Sequence, residues 1–160
     1  MIHAFHVLIP FVTIAPMALS APAFAVSLTY DRLYDDGDRS LSNVACWNPN
    51  VPGLFPDHDE WLVQKNVAPG ILAIPTIDGW DHADCVSCWM LEWNGGEQAR
   101  PLLAIDRSKA GFVTSFERMN SLTEGKAEEL KTLVVNATRV GLTNCGFAPQ
   151  EARRESADEL

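Results

Sequence analysis

The chain of 160 residues is 47% hydrophobic, which is enough apolar material for the core of one domain. Twenty-one acidic residues against twelve basic ones give a formal net charge of −9 and an isoelectric point near 4.7. Basic residues stand side by side only at Arg153 and Arg154, so the chain offers no basic cluster for nucleic acid or an anionic membrane, and both are excluded as expected partners.

The first 25 residues, MIHAFHVLIPFVTIAPMALSAPAFA, contain no Asp, Glu, Lys or Arg and close on Ala23-Phe24-Ala25, a small-x-small pattern. They read as a secretory signal peptide with His3 and His6 where Lys or Arg is usual. Pro10, Pro16 and Pro22 interrupt the apolar run, whereas a membrane-spanning helix needs about 20 unbroken apolar residues. Residues 26–160 are therefore expected to form the mature, secreted chain.

Downstream the pattern is one of short strands. VSLTY, from Val26, alternates Val26, Leu28 and Tyr30 with small polar residues. Pro49, Pro52, Gly53, Pro56, Pro69, Gly70 and Pro75 predict mostly loop and short edge segments over residues 48–75. CWMLEW, from Cys88, places Trp89, Leu91 and Trp93 on one face of a strand, and core packing is expected for the first and last of these rings. RPLLAID predicts a buried strand ending at Asp106, and LVVNATRV predicts another. Between them Phe112, Phe116 and Met119 recur at helical spacing, and a shorter helix is expected around Lys126 to Lys131. The pattern predicts a small barrel with one or two helices outside it. Residues 148–160 lack aromatic groups, are rich in charge and are expected to form a mobile tail. Their terminal Ala-Asp-Glu-Leu resembles a retention signal without its usual first residue.

Cys46, Cys85, Cys88 and Cys145 are even in number, and two disulfides are the expectation for a secreted chain, with three connectivities open. Pairing Cys85 and Cys88 with distant partners would contribute about 3 to 4 kcal/mol per bridge. No strand-then-helix context follows the C-x-x-C, which argues against a thioredoxin-type redox site. Two clusters, Asp57-His58-Asp59-Glu60 and Asp78 with Asp81, His82 and Asp84, contain metal-ligand residue types. Their spacing matches no metal loop, so solvated acidic loops and no metal or cofactor are expected. Asn136-Ala137-Thr138 is an N-glycosylation sequon.

Five segments in order carry a family resemblance: VSLTYDRLYDDGDRSLSNVAC, GW followed by CVSCW, LLAID, GFVTSFERMNSLTEGKA and NATRVGLTNCG. Together with the four cysteines they resemble the cerato-platanin family over residues 26–147. The resemblance implies a mainly β fold with one or two helices: a six-stranded double-psi β-barrel stabilised by disulfides Cys46–Cys85 and Cys88–Cys145. It also implies small secreted fungal proteins of the cell wall that bind chitin-type oligosaccharides of N-acetylglucosamine, loosen cellulose in an expansin-like way without hydrolysing it, and elicit plant defence, with a plant receptor as a further partner.

The binding residues expected on this basis are Asp106, which matches the family's acidic position, and Tyr30 with Asp31, which match its opening motif. Trp61 and Trp80 lie in loops, where an exposed indole face can stack on the C–H face of a pyranose. A retaining or inverting glycosidase needs two carboxylates across the scissile bond, and the family pattern supplies one, so binding without turnover is the expected activity. The rival readings are a weak glycan hydrolase or lytic enzyme using Asp106 with a loop carboxylate, and a surface-active coat protein that self-assembles at high concentration.

Overall fold

A computed structural model describes residues 22–48, 55 and 62–149. Trp61, the Asp57 to Glu60 cluster, most of the expected signal peptide and most of the expected tail lie outside the described residues.

Six strands form a closed barrel in the order β1-β5-β2-β4-β3-β6: β1 (Phe24–Tyr30), β2 (Ile71–Ile74), β3 (Ser87–Trp93), β4 (Gln98–Arg107), β5 (Phe112–Thr114) and β6 (Thr132–Val140). β1 with β5 and β2 with β4 are parallel, and the other neighbours are antiparallel. Closure pairs each of the six strands on both sides, and period-2 alternation is clearest in β6. In β6, Leu133, Val135 and Ala137 point inward while Val134 and Asn136 face out. Leu28, Leu72, Leu91, Leu103, Ile105, Phe112 and Val135 belong to one apolar core. The mainly β, two-disulfide barrel expected from the resemblance is the fold observed. β1 begins at Phe24, two residues before the expected mature N terminus, and Phe24 packs edge-on against Trp89 and Phe112 at ring-centroid distances of 5.7 and 6.1 Å.

Three local expectations are corrected. Phe112 is strand, in β5, and α1 (Phe116–Leu122) starts only after Ser115, whose hydroxyl accepts from the Arg118 N–H. Helical spacing from Phe112 to Met119 arose because Phe112 and Met119 both reach the core, one from a strand and one from a helix. The region 48–75 contains β2, which is buried at all four positions between β5 and β4 instead of lying at an edge. A short run buried on both faces has no alternation to reveal it. β4 runs one residue past Asp106. Pro101 is tolerated in this central strand because β2 first pairs with it at Leu103. The second helix, α2 (Ala127–Leu130), falls where the sequence placed it.

Gly111 has φ +60°, and a Cβ there would collide with the Ser27 hydroxyl and lie 2.8 Å from the Ser27 carbonyl oxygen. Only glycine fits this turn, which sets β5 beside β1. Cys46–Cys85 and Cys88–Cys145 are both formed, with sequence separations of 39 and 57. They tie the segment after β1 to the loop before β3, and β3 to the chain beyond β6.

Candidate functional site

The end of β1 turns directly into a braced loop. The Asp31 N–H donates to the Thr114 carbonyl at 2.9 Å, and its carboxylate Oδ1 accepts from the Leu33 N–H at 2.9 Å. This cap starts a 3-10 turn over Arg32–Asp35. Asp35 in turn accepts from the N–H groups of Phe116 and Glu117 at 3.0 and 2.9 Å, fixing the turn to the start of α1. The buried Gln64 holds it from below: its amide donates to the carbonyls of Leu33 and Asp36, and its oxygen accepts from Arg39.

Tyr34 sits on this turn and donates its hydroxyl to Asp106 Oδ2 at 2.8 Å. The other oxygen of Asp106 accepts from the N–H groups of Ala45 at 2.9 Å and Arg107 at 2.8 Å. Asp106 is only 9% exposed, so its carboxylate joins the turn, the segment leading into Cys46 and the end of β4. Burial, then the negative charge of Asp106 and the hydrogen bond to it, push the Tyr34 hydroxyl well above the ordinary tyrosine range. The phenol thus stays a donor.

Two depressions flank Tyr34. One, of about 360 Å³, is bordered by Asp31, Arg107, Ser108 and Lys109. The other, of about 200 Å³, is bordered by Asp35, Gln64, Lys65, Glu117 and Arg118. Both offer hydrogen-bonding groups of both kinds at a shallow surface, the chemistry that suits sugar hydroxyls and amides.

The residues expected from sequence divide accordingly. Asp31 borders the larger depression, with Oδ1 committed to Leu33. Asp106 lies behind Tyr34 and serves as an internal tie. Tyr30 packs edge-on against Phe116 at 5.1 Å, with the Arg32 guanidinium 4.0 Å from the Phe116 ring centre and bound to Glu128, so it belongs to a packed cluster. Trp80 is 47% exposed and borders neither depression. Its loop is anchored by Asp84, which accepts from Thr76 and Arg139. Trp89 is core and donates to Ser87, while Trp93 is partly buried. Among the described residues no group of three His, Cys, Asp or Glu is arranged to hold a metal ion. Tyr34, Gln64 and Arg107 were missed by the sequence reading. Tyr34 lies inside the same opening segment as Asp31, but nothing in the proline-rich region marks Gln64 as a buried brace.

A family model described as Cerato-platanin matches residues 26–147, which hold all of the barrel but Phe24 and Ala25 and include the four cysteines. The chain belongs to the cerato-platanin family. It is 33% identical over 137 residues to cerato-platanin of Ceratocystis fimbriata f. sp. platani, covering 83% of this chain and 94% of that protein. It is 32% identical over 149 residues to the heat-stable 19 kDa antigen of Coccidioides posadasii, covering 88% and 91%. The crystal structure of cerato-platanin 3 from M. perniciosa superposes with a TM-score of 0.69 at 30% identity, covering 78% of this chain and all of that one. Cerato-platanins are secreted fungal proteins, generally non-catalytic, with elicitor and allergen-like members. Among the described residues no helix is long and apolar enough to cross a membrane.

Proposed function

We propose that the protein is secreted and acts without catalysis, binding oligomers of N-acetylglucosamine, loosening cell walls in an expansin-like way and being perceived by plants as an elicitor. The ligand contact is placed at the larger depression beside Tyr34, with Asp31 and Arg107 on its border. The observation that carries this reading is the engagement of Asp106. A buried carboxylate holding three donors is a framework group, and general acid catalysis would require it to release them. The surface in front of it retains Asp31, Arg107, Ser108 and the Tyr34 ring for a polar, uncharged ligand.

The test is calorimetric titration of the mature protein with a chitin tetramer, beside Asp31→Ala and Arg107→Ala. Both residues are exposed; Arg107→Ala keeps the backbone N–H that Asp106 accepts, whereas Asp31→Ala removes the cap of the turn that carries Tyr34, so the melting transition of each variant is read beside its titration. A loss of at least tenfold in affinity in either, about 1.4 kcal/mol, supports the site. Equal affinity in all three moves it elsewhere, with Trp80→Ala as the next variant. No heat with the wild-type protein rejects chitin-oligomer binding, and soluble sugar released from the tetramer rejects the non-catalytic reading.

A further inference from the structure

We infer that Asn136 carries an N-linked glycan and that this glycan stands on the barrel wall at the end remote from the Tyr34 depressions. The inference rests on the secretion reading above, since the modification occurs in the secretory pathway.

A sequon in the middle of a barrel strand is usable only if the register puts its asparagine outside. Here the alternation of β6 decides the matter: Val135 and Ala137 are buried in the core, and Asn136 between them is exposed. A one-residue slip would have turned Asn136 into the interior and left a glycan no place in the folded protein. Its neighbours across the ladder are Ala25 on β1 and Glu92 on β3. On its own strand Val134, two residues away and on the same outward face, is 66% exposed. In the mature chain the wall around the asparagine thus has Glu92 on its β3 flank and an exposed apolar group beside it on β6, and a glycan there shields the valine.

The processing of the N terminus favours the same conclusion. Phe24 and Ala25 are the β1 residues paired with Ala137 and Asn136. Cleavage after Ala25 removes both, so the sequon backbone loses its β1 neighbour and becomes still more open. The position also keeps the glycan clear of the ligand surface. Asn136 lies opposite Ala25, whereas Asp31 is six residues further along the chain, about 20 Å away at the rise of an extended strand.

The experiment is translation of the full chain with secretory microsomes, comparing wild type with Asn136→Gln and Thr138→Ala. Protease protection reads translocation, and an endoglycosidase-sensitive mobility shift reads the glycan. Peptide mapping after enzymatic deglycosylation then looks for Asn136 converted to Asp. A protected wild-type chain with a shift of one core glycan, lost in both variants, is the expected result. A protected chain with no shift, or with Asn136 unconverted, overturns the inference and leaves the secretion reading standing. An unprotected, unshifted chain overturns both. Melting of the deglycosylated protein beside Asn136→Gln checks the placement: matching transitions are expected of an exposed side chain, and a variant that fails to fold contradicts it.

Discussion

Replacing Asp106 by alanine tests whether this carboxylate is a framework group. The substitution strands three donors at once: the Tyr34 hydroxyl and the N–H groups of Ala45 and Arg107. An unsatisfied donor at a buried site costs about 1 to 3 kcal/mol. Because Tyr34 and Ala45 are only partly buried and Arg107 is exposed, water can reach all three donors and the low end applies throughout. The sum is about 3 kcal/mol. A domain of about 120 residues unfolds with an entropy near 0.25 kcal/mol/K, so the melting temperature should fall by about 12 °C. Asp106→Asn should cost only about 1 to 2 kcal/mol. Its amide oxygen still accepts both backbone N–H groups, and its NH2 can donate to a rotated Tyr34 hydroxyl, with the charge assistance lost. The assay is thermal unfolding of the oxidised proteins followed by tryptophan fluorescence. A shift below about 3 °C for Asp106→Ala would refute the reasoning. The same variant is consequently a poor probe of ligand contact, because its effect on binding would be mixed with a disturbed loop.

Tyr34→Phe removes one hydrogen bond to Asp106 and should cost about 1 to 2 kcal/mol at neutral pH. The folded-state pKa of Tyr34 is raised above its unfolded value of 10.0, so its contribution is complete below pH 10 and declines as pH rises toward the folded value. Urea unfolding of the two proteins should therefore converge above pH 10, at no more than about 1.4 kcal/mol per pH unit and less in proportion to solvent screening of the partly exposed ring; parallel curves would contradict the direction. Gly111→Ala forces an L side chain to φ +60° and against Ser27, and a loss of at least about 2 kcal/mol in chemical denaturation is expected, with a neutral result meaning that the β4–β5 turn can relax. Replacing Cys88 and Cys145 together by serine opens a cross-link of sequence separation 57 and should lower stability by about 4 kcal/mol, read as a fall in melting temperature near 16 °C. Trp80→Ala, at an exposed loop position, should move the transition by less than about 0.5 kcal/mol, so any change in glycan titration with this variant reports contact and not folding.

The sequence by itself determined the class of the fold and four of its six strands. Alternation at Val26-Leu28-Tyr30 and Trp89-Leu91-Trp93 is a local property: a half-buried strand writes its inner face into every second residue. Five ordered segments with four cysteines determined the family, and through it the disulfide pairing, which spacing alone left open among three connectivities. The short strands β2 and β5 were not legible. β2 is buried on both faces, and the three residues of β5 share their apolar members with the helix that follows.

Tertiary structure alone decided the roles of the site residues. Asp106 in LLAID and Asp31 in LTYD look equivalent as acidic residues at strand ends. They differ because donors from two distant segments, Tyr34 and Ala45 at separations of 72 and 61 positions, converge with the adjacent Arg107 N–H on one and leave the other at a surface depression. Tyr30 and Tyr34 are likewise four residues apart, yet one ring packs on Phe116 and the other reaches Asp106. A side chain's partners depend on which segments the barrel closure and the disulfides bring around it, and that information is spread over the whole chain. Outward orientation at Asn136 is the intermediate case: LVVNATRV reads as a strand in the sequence, but which parity faces the core was set by the strands packed on either side.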